Sequence, residues 1–526
     1  MSAEGLSHSN SGRGKSRILP VDAPREPLQL TNLALLRERC YVGGVWVEAA
    51  SGSRLPVINP ATGRMIGTVP RLSAAEVRRA IVGAGTAMAA WAAKTARERA
   101  RILHRWSALI RVNLEDLAYL VTAEQGKPLA TAMREISLGA SAVECLAEAA
   151  RQVYGEQVPS SQSDRRRLTL IRPVGVCGAI TPWQFPSALV ARKAAAALAA
   201  GCTVVLKPAP QTPLSALALA ALAEEAGVPT GVLNIVTGPA GEIARELATS
   251  ALIRKLAFEG APEIGQRLLR GHPDTVGKIA IERGGRAAML IFDDANVERA
   301  VHDALLSTFR SADQPGICPN RLLIQRGIYD TFATQYVAAV RGLRVGPGIE
   351  PQAEIGPLID EAAMRKVTRQ ISDARAQGAV IVLGGRRHAR GGLFFEPTVL
   401  SHVTPRMQIF REEGSHLVAP LIQFSTEEEA LAMANDGSLD PGSSFFTRDV
   451  ARVYRVARGL GTSLLGVNTG VLSADHGVFC PPGQSGPGLN GSSAEIREFL
   501  EIKYVCFADT RHVNILGGEA ATACGP

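Results

Sequence analysis

Apolar residues follow two different spacings along this chain, and the two spacings alternate. Between residues 73 and about 150 they recur with a helical period in an Ala- and Leu-rich sequence, which breaks at Gly126-Lys127-Pro128. From residue 174 onward, short continuous apolar runs are separated by helical segments of several turns. Such an alternation predicts a parallel, doubly wound sheet with helices on both faces.

The first alternating block lies between residues 174 and 260. Its predicted strands and helices are, in order, 174–180, a helix to about 200, 203–206, 214–226, 231–236, 241–249 and 255–258. Trp183, Lys207 and Gly260 come at the ends of predicted strands. Because open α/β sheets bind their ligands at the carboxyl ends of their strands, these residues are predicted to lie at a binding site.

A second alternating block runs from residue 287 to about 471 and predicts another α/β lobe. Its clearest elements are strands at 289–292, 321–325 and 380–383 and a helix at 297–309. Residues 41–63 alternate around Gly/Ser turns and predict strands, and two further segments lie outside both blocks. Residues 151–172 predict an extended excursion or hairpin, and residues 499–507 predict a final strand.

The overall composition adds limits to this picture. A chain of 526 residues is too long for one compact core, so two or three lobes are expected. Apolar residues make up 46% and charged residues 20%, as in ordinary globular proteins, and the net charge of +8 is spread over the whole length. A basic triplet at 165–167 has no interleaved aromatic residues, which favours an exposed turn and no nucleic-acid partner.

The eight cysteines are scattered, without CxxC pairs or a metal-ligand spacing with histidine, so neither a disulfide framework nor a metal site is predicted. Isolated cysteines fit a reducing compartment and a cytoplasmic location. The longest nearly apolar run, 194–206, is too short to span a bilayer, so no membrane partner is expected. Residues 1–26 lack the apolar core of a secretory signal and predict a disordered arm, and residues 511–526 predict a flexible tail.

Four short motifs carry a family resemblance. They are TPWQFP at 181–186, IERGG at 281–285, FRSADQPGICPNR at 309–321 and FLEIKYVC at 499–506. The chain resembles aldehyde dehydrogenases, most closely succinate-semialdehyde dehydrogenases, and the resemblance covers residues 41–507. It implies an α/β aldehyde dehydrogenase fold with a Rossmann-like doubly wound cofactor domain, an α/β catalytic domain and a small oligomerisation hairpin.

The third motif matches the family's FRNxGQTCxCxNR, in which the first cysteine is the nucleophile. The match has no gap, and it places Gly316 at the first cysteine position and Cys318 at the second. Glycine has no side chain, so it forms no thiohemiacetal with an aldehyde. If the segment is extended, Cys318 lies about 6–7 Å further along, which exceeds the tolerance for attack on a bound carbonyl.

The resemblance implies two further catalytic positions. Glu282 matches the glutamate that activates the deacylating water, although Arg283 and Arg286 flank it and favour its ionised form. Gln184 matches the asparagine whose amide donates to the oxyanion, a contact of ~3 kcal/mol. Its side chain is one methylene longer, and such a displacement costs about a hundredfold in rate.

The resemblance also implies NAD or NADP as cofactor. Lys207 in KPAP matches the lysine that holds the adenosine ribose, and Trp183 lies in the loop after the preceding strand. Gly260 and Gly265 in FEGAPEIG match the pyrophosphate turn, where a glutamate replaces the family's threonine. A carboxylate about 5 Å from a phosphate costs ~3 kcal/mol, so weakened binding is expected. Glu413 in EEGSHL matches the glutamate that holds the nicotinamide ribose.

On the substrate side, three residues match those that grip the distal carboxylate in succinate-semialdehyde dehydrogenases. They are Arg192 in VARK, Arg310 in FRSADQ and Ser473 in GVLSADHG. An arginine fork suits a planar carboxylate because it donates two parallel hydrogen bonds. The expected ligand is therefore a small aldehyde or carboxylate.

Three functions stay open at this point, and the sequence leaves enzymatic activity undecided. The first is a catalytically impaired family member with a retained acid pocket, because loss of a covalent nucleophile costs about 10⁶ in rate. The second is an active NAD(P)-dependent semialdehyde oxidoreductase that uses Cys318. The third is a slow hydrolase whose water is activated by Glu282.

Pattern and resemblance together predict the domain boundaries. We expect a dinucleotide-binding domain at 27–150 and 173–285 and a catalytic domain at 286–478. An oligomerisation element is expected at 151–172 and 495–510. Because the family assembles through such an element, the resemblance implies a homo-oligomer, either a dimer or a tetramer.

Overall fold

The computed structural model describes residues 24–159, 161, 165–260, 264, 265, 268, 278–283, 287–309, 321–412, 414, 417–436, 442–470, 472 and 495–508. For 278–283 it describes the backbone alone. Within this part, the strands form two seven-stranded sheets, a three-stranded sheet and a two-stranded ribbon. The predicted α/β class is thereby confirmed.

The strands are numbered in chain order through the described residues. They are β1 (Cys40–Val42), β2 (Val45–Val47), β3 (Arg54–Ile58), β4 (Met65–Pro70), β5 (Gln157–Val158), β6 (Arg165–Pro173), β7 (Val176–Ile180), β8 (Thr203–Lys207), β9 (Leu233–Ile235), β10 (Ile253–Gly260), β11 (Lys278–Arg283), β12 (Ala288–Ile291), β13 (Arg321–Gln325), β14 (Val380–Leu383), β15 (Thr398–Ser401), β16 (Val418–Phe424), β17 (Gly442–Phe446), β18 (Leu464–Val467) and β19 (Leu500–Ala508).

The α-helices of the same residues are numbered in the same way. They are α1 (Ala74–Ala92), α2 (Ala96–Val112), α3 (Leu114–Gln125), α4 (Leu129–Ala150), α5 (Ala188–Ala200), α6 (Leu214–Ala226), α7 (Ala240–Thr249), α8 (Val297–Phe309), α9 (Tyr329–Arg341), α10 (Glu361–Ala376), α11 (Gln408–Arg411), α12 (Glu427–Ala434) and α13 (Val450–Gly459). The predicted helical break at Gly126-Lys127-Pro128 is confirmed, since α3 ends before it and α4 begins after it.

The first seven-stranded sheet has the order β11-β10-β7-β8-β9-β1-β2. Strands β7 to β11 are parallel, as predicted, and antiparallel β1 and β2 extend one edge. Strands β7 and β8 are buried along their whole length, which explains their continuous apolar sequence. Helix α5 is Ala-rich and almost entirely buried, so it packs closely against α4.

The second seven-stranded sheet has the order β14-β15-β16-β13-β12-β17-β18 and encloses a separate apolar core. The predicted elements at 297–309, 321–325 and 380–383 are confirmed with their bounds. Strands β15 to β18 were not predicted. Strands β16 and β17 are buried on both faces, so they lack the alternation that marks a half-buried strand, whereas β18 is a short, partly exposed strand at the edge of the sheet.

The three-stranded sheet joins β5 and β6, from the predicted excursion, to the final strand β19. Strand β19 pairs with β6 over nine antiparallel positions, from Leu500 opposite Pro173 to Ala508 opposite Arg165. The basic triplet lies within β6, so its prediction as a turn is wrong. Arg165 and Arg166 are nonetheless exposed, and Arg167 is partly exposed.

The chain is ordered from further upstream than the sequence indicates. Arg25 and Glu26 belong to the predicted disordered arm, yet Glu26 donates its backbone N–H to Met65 and Arg25 pairs with Glu38. These contacts are long-range, so no local pattern marks them. Residues 1–23 and the predicted tail at 511–526 lie outside the described residues. None of the described helices is long and apolar enough to cross a membrane.

Candidate functional site

The predicted binding residues Trp183, Lys207 and Gly260 lie along one edge of the first sheet, the edge formed by the carboxyl ends of its parallel strands. Strands β10, β7 and β8 are neighbours, with Ile180 opposite both Phe258 and Lys207. Because all three strands are parallel, their carboxyl ends open onto the same side. The loop 181–187 follows β7 there, so it stands between the residues that end β8 and β10.

Lys207 is buried at this edge, with 3% of its surface exposed. Its Nζ donates a hydrogen bond of 2.8 Å to the carbonyl oxygen of Pro208, and the described residues supply no carboxylate for it. Burial therefore disfavours the charged form and lowers the pKa of Lys207 to about 8. An ammonium group has three donors, so two remain for a ligand.

Gln184 lies in the loop 181–187, where its side chain is half-buried. Its amide oxygen Oε1 is buried and has no hydrogen-bond partner within the described part of the chain. The loop backbone is tied to the sheet, since Thr181 donates its N–H to the Lys207 carbonyl at 3.2 Å. The atom without a partner is the acceptor oxygen, so the fold leaves room at this position for a hydrogen-bond donor from outside the described residues.

A buried ion pair that the sequence did not reveal supports this loop. Lys127 Nζ donates to Glu135 Oε2 at 2.6 Å and to the backbone carbonyl of Gln184 at 2.8 Å. The same ammonium lies 4.5 Å from the centre of the Phe185 ring. A glutamate among the apolar positions of α4 was the available sequence signal, although nothing local identified its partner.

Buried glutamates from neighbouring helices cap two helices of this lobe. Glu135 Oε1 accepts the backbone N–H groups of Ser187 and Ala188 at the start of α5. Glu124 accepts those of Leu214 and Ser215 at the start of α6. Neither helix has a side-chain cap of its own, so these carboxylates satisfy its first N–H groups. Burial raises the pKa of Glu124 to about 8.

The predicted substrate residue Arg192 lies on α5, where a carboxylate of the protein binds it. Its Nε donates to Glu495 Oε2 at 2.5 Å, and Lys193 Nζ donates to Glu495 Oε1 at 3.1 Å. Glu495 is buried and lies just before the final strand β19. The sequence did not predict this contact, which joins residues 303 positions apart.

The remaining predicted residues are described in part or not at all. Glu282 lies in β11 with its backbone opposite Glu259 of β10, so this strand ends at the same edge. Gly265 is buried beyond β10. The predictions for Arg310, Gly316, Cys318, Glu413 and Ser473 lie outside the described residues.

The residues at this edge of the sheet favour the ribose of a dinucleotide and disfavour its phosphates. The two unused donors of Lys207 suit the hydroxyl groups of a ribose. Glu259, next to Gly260, brings a carboxylate to the turn where a phosphate would bind. The donor set therefore fits the sugar, whereas a carboxylate at this turn is electrostatically unfavourable for a pyrophosphate.

Comparisons with known proteins agree with this architecture. The model of the family described as "Aldehyde dehydrogenase family" matches residues 46–505. A glutarate-semialdehyde dehydrogenase of Pseudomonas aeruginosa is 48% identical over 479 residues, covering 91% of this chain and 99% of the relative. The succinate-semialdehyde dehydrogenase [NADP(+)] of Escherichia coli is 46% identical over 479 residues, with coverage of 91% and 99%.

Among solved structures, that of succinate-semialdehyde dehydrogenase from Burkholderia pseudomallei superimposes with a TM-score of 0.89 at 45% identity. The match covers 91% of this chain and 99% of that structure. The predicted aldehyde dehydrogenase fold is thereby confirmed. With the family model, the curated relatives and this structure in agreement over nine-tenths of its length, the chain belongs to the aldehyde dehydrogenase family.

Proposed function

We propose that this protein binds NAD(P) and a small semialdehyde in the manner of a semialdehyde dehydrogenase, and that its covalent chemistry is impaired. The names of the similar Pseudomonas and Escherichia coli enzymes support the ligand class. The gap-free match of FRSADQPGICPNR, with Gly316 at the nucleophile position, supports the impairment. The observation that supports the proposed cofactor binding is Lys207, which is buried at the carboxyl end of β8, beside the loop 181–187, with donors that the described residues leave unused.

Each residue has a defined part in this proposal. Lys207 donates to the adenosine ribose, and NAD(P) when bound accepts a hydride from the substrate. Gln184 donates its amide N–H to the carbonyl oxygen of the aldehyde, which polarises the carbon. Arg310 and Ser473 receive the distal carboxylate together with Arg192, whose Nε also donates to Glu495.

The covalent step lacks a nucleophilic side chain at position 316. In the family reaction, a thiolate adds to the carbonyl carbon, the hydride leaves that carbon, and water replaces the sulfur to release the acid. Glu282 is proposed as the base that takes a proton from that water. Without a sulfur atom at position 316, no thioester forms for Glu282 to resolve.

The test measures NAD(P)H formation from succinate semialdehyde and glutarate semialdehyde. Purified wild type, Gly316→Cys and Cys318→Ala are compared with NAD⁺ and with NADP⁺. We expect no turnover by wild type and a gain of several orders of magnitude in Gly316→Cys, because a nucleophile contributes about 10⁶ in rate. Activity in wild type that Cys318→Ala abolishes would overturn the impairment and establish recruitment of the second cysteine.

We also propose a homo-oligomer, a dimer or a tetramer, assembled through the three-stranded sheet. Strand β19 is its edge and pairs only with β6 among the described strands. On this strand Ile502 is 71% exposed and Tyr504 is 53% exposed, an apolar surface at an open sheet edge. Light scattering after size-exclusion chromatography should give an oligomer for wild type and a monomer for Ile502→Asp.

A monomeric wild type at micromolar concentration would refute this assembly.

The location proposed for the protein is the cytoplasm. The five cysteines of the described residues are free, as expected in a reducing compartment.

A further inference from the structure

We infer that Lys127 and Glu135 are positioning residues that fix the loop carrying Gln184 and tie it to the second lobe. The inference rests on the proposed function only for the role given to the Gln184 amide. Nothing in the family motifs quoted from the sequence includes either residue. The argument follows from three sets of contacts.

The first set holds the loop at Gln184 itself. Lys127 Nζ donates to the Gln184 carbonyl at 2.8 Å, and its charge faces the Phe185 ring at 4.5 Å. The residue is 9% exposed, so water does not compete strongly for these donors. A charged donor in a dry environment makes one of the stronger hydrogen bonds available to a backbone carbonyl.

The second set holds the loop three residues further on. Glu135 Oε1 accepts the N–H groups of Ser187 at 2.8 Å and Ala188 at 3.1 Å, while Oε2 accepts from Lys127. Glu135 has no exposed surface. One buried carboxylate therefore connects the lysine to the start of α5, and Gln184 lies between the two points of attachment.

The third set fixes Lys127 against the second lobe. Leu129 donates its N–H to the carbonyl of Gly348 at 2.9 Å. A Cβ atom at Gly348 would lie 2.1 Å from the Lys127 carbonyl oxygen, and one at Gly356 would lie 2.0 Å from that of Gly126. The backbone of the second lobe therefore packs directly on the segment that carries Lys127.

These contacts matter for Gln184 because its side chain has no hydrogen bond of its own within the described residues. Its amide is placed by the loop backbone, and the backbone is placed by Lys127 and Glu135. A donor displaced by about 1 Å loses about a hundredfold in effect. The ion pair thus sets the position of a group that it does not touch.

The experiment measures the conformation of the loop 181–187 and requires no turnover, so it is independent of whether the protein is active. Trp183 precedes Gln184, and the full-length protein is labelled with 5-fluorotryptophan and observed by ¹⁹F NMR. The resonance of Trp183 is assigned with Trp183→Phe. We expect Lys127→Met and Glu135→Gln each to shift or split this resonance.

Two of the other three tryptophans report whether the helices themselves have moved. Trp91 donates to the Leu198 carbonyl of α5 and Trp106 to the Leu219 carbonyl of α6. Their resonances should stay in place in both variants. Glu135→Gln keeps the shape of the side chain, so it decides the matter if Lys127→Met fails to fold.

Lys255→Met is the matched control. Lys255 is also buried, pairs with Glu498 at 2.5 Å and lies 4.8 Å from the Phe499 ring, but it belongs to β10 away from the loop. The Lys255→Met variant should have a lower free energy of unfolding and an unchanged Trp183 resonance. The inference is overturned if Trp183 is unaffected by Lys127→Met and Glu135→Gln, or if Lys255→Met moves it equally.

Discussion

Two buried lysines lie at the same edge of the first sheet and have opposite surroundings. Lys127 faces the carboxylate of Glu135, a backbone carbonyl and an aromatic ring. Lys207 faces the Pro208 carbonyl and no carboxylate among the described residues. Burial lowers the pKa of Lys207 to about 8.

The difference is that the protein itself engages the hydrogen-bond donors of Lys127, whereas Lys207 keeps donors that a ligand would engage. The donors of Lys127 are engaged within the fold, so its charge is compensated in the native structure. Lys207 carries a desolvation cost that the fold does not offset, and a ligand with hydroxyl or phosphate oxygens would offset it. Buried but unsatisfied donors at a strand end therefore mark a binding residue better than burial alone.

The largest effect is expected when Lys127 is changed to Met. The Glu135 carboxylate then stays buried without its cation, which costs about 3–5 kcal/mol in the free energy of unfolding. Chemical denaturation at pH 7 measures the loss. An equal loss in Lys207→Met, the same substitution at the other lysine, would erase the distinction between them.

The next effect is the pH dependence of stability in Lys207→Met. The folded pKa of about 8 lies below the ordinary 10.5, so between these values the unfolded chain binds more protons and wild-type stability rises with pH. The variant lacks this titrating group, so this contribution to the pH dependence of stability is absent. It should be the more stable protein at pH 7, by up to about 3 kcal/mol before packing losses.

That advantage should shrink as the pH rises from 8 to 10.5. Denaturation curves of both proteins at pH 7, 9 and 10.5 measure the difference, which cancels the titration of other groups. A constant difference across this range would mean that Lys207 titrates normally and is not held in an unfavourable site.

A third prediction concerns the affinity for the cofactor. Lys207→Met should weaken NADH or NADPH binding by about 10- to 100-fold, because a hydrogen bond from a charged donor contributes about 1.5–3 kcal/mol. Fluorescence titration of the reduced cofactor measures the dissociation constant. Lys255→Met, the same change in a buried lysine away from this edge, serves as control and should leave the affinity unchanged.

The smallest effect concerns the ring beside Lys127. A double-mutant cycle of Lys127→Met and Phe185→Leu should give a coupling energy of about 1 kcal/mol, since a desolvated cation gains about that much from an aromatic face. Denaturation of the four proteins measures it. Additive losses would show that the ring only fills space.

Much of the fold follows from local pattern, since the helices at 214–226 and 297–309 and the strand at 321–325 have the predicted bounds. The edge that joins Trp183, Lys207 and Gly260 also follows, because parallel strands end on the same side of a sheet. The motifs identified the family through residues that neighbour one another in sequence. Glu135, by contrast, showed only as a charged residue on an apolar helix face.

The amino-acid sequence by itself therefore determined the α/β class, much of the succession of elements and the side of the first sheet on which the candidate binding residues lie, because periodicity and strand ends are local properties. Tertiary structure alone decided which charges meet: Lys127 with the carbonyl of Gln184, 57 residues away, and Arg192 with Glu495, 303 residues away. Such pairs depend on how helices and strands pack in space. A buried charge selects its partner by distance in the folded protein, and nothing in the spacing along the chain records that distance.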